Sequence, residues 1–129
     1  MSCMILKTRH FNRWAKKAGL SDKALSEAVV EMVSGLIDAV LGSGIVKKRI
    51  ALPGQGKRGS TRTLLATNLG DRWIFVYGFE KNQRSNISDR ELEALKMLAD
   101  DLLSLSKEQI AAVIDSGALL EVLHETTKN

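Results

Sequence analysis

The sequence predicts a mixed α+β fold, with helices packed on an antiparallel sheet, and three features of its 129 residues carry that reading. Apolar residues recur at three-and-four spacing in the first third, the middle changes to short β-rich runs around a glycine-containing turn, and the last third returns to helix. The length fits one domain spanning residues 1–129, and 44% apolar residues with one proline is the composition of a folding chain.

In chain order, Met4-Ile5-Leu6 suits an initial strand, and His10 to Ala18 a short helix around Phe11 and Trp14 that Gly19 ends. Ser21 and Asp22 open a longer helix running to Leu41, whose buried stripe is Leu25, Ala28, Val29, Met32, Val33, Leu36, Ile37 and Val40; Gly42 and Gly44 stop it. Gly44 to Leu52 reads as a strand containing Lys47-Lys48-Arg49, and Pro53 to Ser60 as a flexible loop. Thr61 to Leu69 and Arg72 to Phe79 form a hairpin around Gly70-Asp71. A two-residue loop sets Leu69 opposite Arg72, Ala66 opposite Phe75, Leu64 opposite Tyr77 and Arg62 opposite Phe79, so Arg62 and Tyr77 share one face diagonally. The two early helices are expected to cover one face of the sheet built from 44–52, 61–69 and 72–79.

Ser88-Asp89-Arg90-Glu91 is a capping box ahead of the stripe Leu92, Leu95, Leu98, Ala99 and Leu102. Ser106-Lys107-Glu108-Gln109 repeats it ahead of Ile110, Val113 and Ile114, Gly117 ends that helix, and Ala118 to Leu123 suits a closing strand. The acidic residues of these helices are expected to face solvent.

Charge is segregated. No Asp or Glu occurs between Ala39 and Gly70, where Lys47, Lys48, Arg49, Lys57, Arg58 and Arg62 accumulate. Residues 1–79 carry 13 Lys+Arg against 5 Asp+Glu, a net +8, and residues 80–129 carry 6 against 10, a net −4. A field of one sign focuses on polyanions, so RNA, DNA or a ribosome is the partner class it suits.

Other chemistries find little support. Cys3 is the one cysteine and has no internal disulfide partner, no secretory signal is visible, and no apolar run reaches the roughly 18 residues of a membrane span, so a cytoplasmic, membrane-free setting is expected. Gly54 to Gly59 matches the first part of a phosphate-binding P-loop, but Ser60 and Thr61 follow where Lys and then Ser/Thr are required, and a strand follows instead of a helix. His10 and His124 are isolated and read as structural or solvated, so neither a metal nor a cofactor is expected. RNA carries its own nucleophile, the 2′-hydroxyl. Its cleavage needs a group that helps remove that proton, cations around the developing phosphorane charge and a donor for the leaving oxygen, roles that Lys, Arg and Tyr can fill.

Lys48-Arg49, Pro53-Gly54-Gln55-Gly56-Lys57-Arg58-Gly59, Arg62-Thr63-Leu64-Leu65-Ala66, Asp71-Arg72, and Phe75-Val76-Tyr77-Gly78-Phe79-Glu80-Lys81-Asn82 with Arg84 and Asn86-Ile87 together resemble a toxin of the RelE/ParE superfamily, closest to its HigB-like branch. The resemblance extends through Glu91-Leu92-Glu93-Ala94-Leu95-Lys96. It implies a small α/β fold with two N-terminal helices on a mostly antiparallel sheet, followed here by C-terminal helices. It further implies a ribosome-dependent mRNA endonuclease, working without metal or cofactor and restrained by an antitoxin encoded beside it, expected to be a helix-turn-helix protein. Carried over residue by residue, it implies Arg62 and Arg84 as phosphate clamps, Lys57 and Lys81 as cationic or proton-transfer groups, and Tyr77 for stacking or acid–base work. Lys47, Lys48, Arg49 and Arg58 would hold RNA. Simpler roles stand beside these: a buried strand aromatic for Tyr77, a helix-start contact to a carboxylate for Arg84, and turn organisation for Asn82 and Asn86. The ParE branch poisons DNA gyrase, and a non-catalytic basic nucleic-acid-binding module is a third class.

Overall fold

A computed structural model describes residues 3–52 and 60–123. The elements run β1 (Met4–Thr8), α1 (Arg9–Ala18), α2 (Asp22–Val33), β2 (Ala39–Gly42), β3 (Ile45–Ala51), β4 (Ser60–Thr67), β5 (Arg72–Glu80), α3 (Asp89–Leu103), α4 (Lys107–Asp115) and β6 (Leu119–Glu121). The sheet order is β2-β3-β4-β5-β1-β6, antiparallel throughout except that β1 lies parallel to β5. This is the expected α+β class, and β1 is the expected initial strand; the helices differ from a simple N-terminal pair on a sheet, because the first pair follows that strand and the second pair covers the opposite face.

Local signals explain most boundaries. Thr8 and Ser21 accept the amide hydrogens of Phe11 and Ala24 to cap α1 and α2, and both expected capping boxes form at α3 and α4. The long N-terminal helix is corrected: it ends at Val33, not Leu41. Gly35 takes a left-handed φ of 105°, the chain turns, and residues 39–42 become edge strand β2. Val33, Leu36 and Val40 are consequently exposed, while Ile37 still packs on the core.

Two apolar layers hold the sheet. Phe11 and Ala15 of α1 and Leu25, Val29 and Met32 of α2 pack on Val46, Leu65, Trp73 and Phe75. Across the sheet, Ala99 and Leu102 of α3 and Ile110 of α4 pack on Leu6, Ile45, Leu64, Ile74 and Val76. Gly78 lets α1 approach β5 closely, because a Cβ there would land inside the Trp14 ring. Arg72 closes α3 by donating to the carbonyls of Leu102, Leu103 and Leu105.

The β4–β5 register differs from a simple two-residue hairpin. The ladder begins at Thr67↔Trp73 and pairs Ala66 with Ile74, not Phe75, because Leu69 adopts φ 61° and lengthens the turn. A bulge at Val76, between the Leu65↔Phe75 and Leu64↔Tyr77 pairs, takes up the offset. Leu64↔Tyr77 and Arg62↔Phe79 therefore pair as expected.

A candidate nucleic-acid interface

Strand alternation divides the basic segment. Arg49 of β3 lies opposite Arg62 of β4, which lies opposite Phe79 of β5, so these side chains share the α3 side of the sheet with Tyr77 and Lys47. Lys48 points the other way. It is 7% exposed, its Nζ donates to the Leu36 carbonyl at 3.0 Å, and it pairs with Glu31 Oε1 at 2.8 Å. The expectation that it stands with Lys47 and Arg49 as an RNA-holding cation is corrected on that ground: period two turns the middle residue of the triplet into the protein.

The exposed cations border an open concavity of about 810 Å3, lined by Asp38, Arg49, Ala51, Ser60, Arg62 and Lys81, with Lys48 and Leu52 completing it. Arg62 Nη1 donates to Ser60 Oγ at 3.1 Å. Asp38, just before the acid-free stretch, holds Arg49: its Oδ1 is 3.4 Å from Arg49 Nε and its Oδ2 accepts the Arg49 amide at 2.7 Å. Among the described residues, neither Arg62 nor Lys81 has a carboxylate within ion-pair distance. Lys57 and Arg58 lie outside the described residues, as does His124.

Beside this groove sits a second constellation. Glu91, at the third position of α3, accepts Arg84 Nη2 on Oε1 at 2.7 Å and Arg84 Nη1 on Oε2 at 3.0 Å. Its Oε2 also accepts the Tyr77 hydroxyl at 3.1 Å, and Oε1 the Ser88 amide at 2.9 Å. Arg84 further donates from Nη1 to the Tyr77 oxygen at 3.1 Å and from Nε to the Asn86 carbonyl at 2.9 Å. Its Cζ lies 5.7 Å from the centre of the Phe79 ring. The imidazole of His10, in the first turn of α1, stacks on Tyr77 at 5.9 Å with an interplanar angle of 10°.

The electrostatics follow from these contacts. The Arg84 guanidinium holds the Glu91 carboxyl well below the usual carboxylate range, and Glu91 in turn raises Arg84. Burial, reinforced by the hydrogen bond to Glu91, pushes the Tyr77 phenol up. Tyr77 is thus a neutral hydroxyl at physiological pH, suited to stacking or giving a proton rather than taking one. Four of the five N–H groups of Arg84 are already committed, so as it stands it is not a bidentate phosphate clamp.

The structure brings Arg49, Arg62 and Lys81 together at one groove, sets Tyr77 and Arg84 beside it on the same side of the sheet, and, although Lys48 borders the groove, ties its ammonium to Leu36 and Glu31. Glu91 and His10 belong to this site although the charge pattern points to neither. The expectation that the acidic residues of α3 face solvent is corrected for Glu91, which is half-buried against Arg84 and Tyr77. Its signal was its capping-box position shortly after Arg84; His10 had none, because only the β1–β5 pairing brings it to Tyr77.

Among the described residues, no group of three or more His, Cys, Asp or Glu is placed to hold a metal ion, and no helix is long and apolar enough to cross a membrane. No curated protein matches the chain. The model of a family described as the RelE toxin of the RelE/RelB toxin-antitoxin system matches residues 3–122. With nearly all of its length matched, and, among the described residues, a six-stranded sheet with four helices that suits such a fold, the chain belongs to the RelE toxin family.

Proposed function

We propose that this chain is the cytoplasmic toxin of a type II toxin–antitoxin pair, of the HigB-like branch, and that it cuts ribosome-bound mRNA in the A site. The message's 2′-oxygen attacks the adjacent phosphorus, the bond to the 5′-oxygen breaks, and the products are a 2′,3′-cyclic phosphate and a 5′-hydroxyl. One proton leaves the 2′-hydroxyl and one reaches the 5′-oxygen. The observation that carries this reading is the cross-strand Arg49–Arg62 pair with Lys81 in one groove, on the same side of the sheet as Tyr77 and Phe79.

In this reading Arg62, with Arg49 and Lys81, holds the phosphate and stabilises the charge that develops on it. Tyr77 stacks on a base or gives the proton to the leaving oxygen, and Lys47 holds flanking RNA. Lys57 adds a proton-transfer group and Arg58 a further cation. Arg84 acts through Tyr77. The antitoxin, a helix-turn-helix protein encoded beside the toxin, presents an acidic or helical segment that covers the cations from Lys47 to Arg84. Changing Lys57, Arg58 and Arg62 together to Ala should then weaken the toxin–antitoxin complex.

The test is primer extension on a defined message bound to ribosomes, with wild-type protein and Arg62→Ala, with and without EDTA at magnesium levels that keep ribosomes intact. Expected are cuts that require ribosomes, survive the chelator and vanish in the variant. Chelator-sensitive cleavage, or toxicity with gyrase-linked DNA breaks and uncut message, would overturn the reading.

A further inference from the structure

We propose that Glu91 is a positioning residue of this site: through Arg84 and directly, it fixes the Tyr77 ring and hydroxyl on the groove side of the sheet. The inference rests on the mRNA-cleavage reading and divides the labour among the cations, leaving the phosphate to Arg49, Arg62 and Lys81.

Glu91 joins Arg84, Tyr77 and the start of α3 in one set of bonds. One oxygen holds Arg84 Nη2 and the Ser88 amide; the other holds Arg84 Nη1 and the Tyr77 hydroxyl. Arg84 Nη1 closes the ring by donating to the same Tyr77 oxygen. A planar guanidinium against a carboxylate admits essentially one relative orientation, so these bonds define where the phenol oxygen sits. The Tyr77 ring also lies near-parallel to His10, a contact independent of Glu91. The groups facing the phenol are therefore His10 from α1, Phe79 on its own strand, Arg84 from the segment after β5 and Glu91 from α3. The elevated phenol, raised by burial and then by Glu91, is what this enclosure would produce. Remove the Glu91 charge and Arg84 loses the carboxylate that orients it against the ring's hydroxyl, while the sheet beneath is untouched.

Ser88 makes the idea testable, because it shares with Glu91 the capping of α3 but touches neither Arg84 nor Tyr77 through its side chain. Tyr77 is the chain's one tyrosine, so its ring resonances are unambiguous in an NMR spectrum. Glu91→Gln and Ser88→Ala should be compared with wild type at neutral pH. In Glu91→Gln the ring-current shift that His10 imposes on the Tyr77 resonances should collapse toward the free-tyrosine position. The kcat for ribosome-bound message should fall on the order of 10- to 100-fold with KM little changed, since misplacement of a reacting group by about 1 Å is enough for that. Ser88→Ala should keep both the shift and kcat.

Unchanged Tyr77 resonances in Glu91→Gln would overturn the proposal. So would equal losses in both variants, which would make Glu91 a helix cap and nothing more, and so would a higher kcat in Glu91→Gln, which would mean that it withholds Arg84 from the phosphate. If wild-type protein fails to cut ribosome-bound message, the cleavage reading falls, and the NMR comparison still decides whether Glu91 fixes Tyr77.

Discussion

Lys48→Met separates the structural part of the basic segment from the part proposed to hold RNA. The substitution keeps most of the side chain's apolar stem and removes the ammonium that bonds the Leu36 carbonyl and Glu31. Glu31 keeps 55% of its side chain exposed and resolvates, so the loss falls mainly on one part-buried hydrogen bond from a charged group to an exposed residue's carbonyl. That places the destabilisation at about 1–2 kcal/mol. Unfolding entropy near 2.1 cal/mol/K per residue gives about 0.27 kcal/mol/K for this chain, hence a fall in Tm of about 4–7 °C. Arg49 is 61% exposed on the opposite face, and Arg49→Ala should stay within about 0.5 kcal/mol of wild type. The two variants should exchange ranks in ribosome binding: Arg49→Ala weakens it and lowers the salt-dependence slope by about 1, and Lys48→Met leaves it unchanged. Thermal melts by circular dichroism and ribosome co-sedimentation across a salt series read the two effects. A Lys48→Met protein that melts like wild type yet releases ribosomes would refute the face assignment.

Arg62→Ala should lower the cleavage rate on the order of 10²-fold in single-turnover primer extension, with the melting curve unmoved. Gly78→Ala drives a methyl into the Trp14 ring and should destabilise the fold by about 1–3 kcal/mol in urea titrations, an effect that a Trp14→Leu background should relieve. Because the folded Glu91 carboxyl lies below its unfolded value, its stabilisation is present above about pH 4.5 and is lost as pH falls further; the acid limb of Tm against pH should be shallower in Glu91→Gln.

What the sequence disclosed was what adjacent residues decide. Ser88 with Glu91 and Ser106 with Gln109 announce two helix starts by local chemistry, and both form. The end of α2 was hidden because Leu36, Ile37 and Val40 prolong the helical spacing while the backbone has already turned at Gly35. A glycine inside a helix costs only about 1 kcal/mol, so its presence alone does not place the break. The hairpin was half legible: the longer turn at Leu69 and the bulge at Val76 cancel, which is why Arg62 and Tyr77 share a face although Ala66 changes partner. For the site, charge clustering pointed at the right strands, yet it missed the alternation that buries Lys48 and the contacts that recruit Glu91 and His10. Those contacts depend on which elements meet in space, and nothing in the spacing of a single chain encodes them.

The place of β1 between β5 and β6 orders the toxin's birth. β1 has no ladder to join until residues 72–80 and then 119–121 have been made, whereas β3, β4 and β5 can zip with their sequence neighbours. Leu123 adds a late clasp, its amide bonding Asp22 at the start of α2. A nascent chain can therefore display the Arg49–Arg62 ladder while α1, and His10 with it, still lacks the completed sheet. The Tyr77–His10 stack, which needs β1 docked on β5, therefore forms later than the basic ladder beside it.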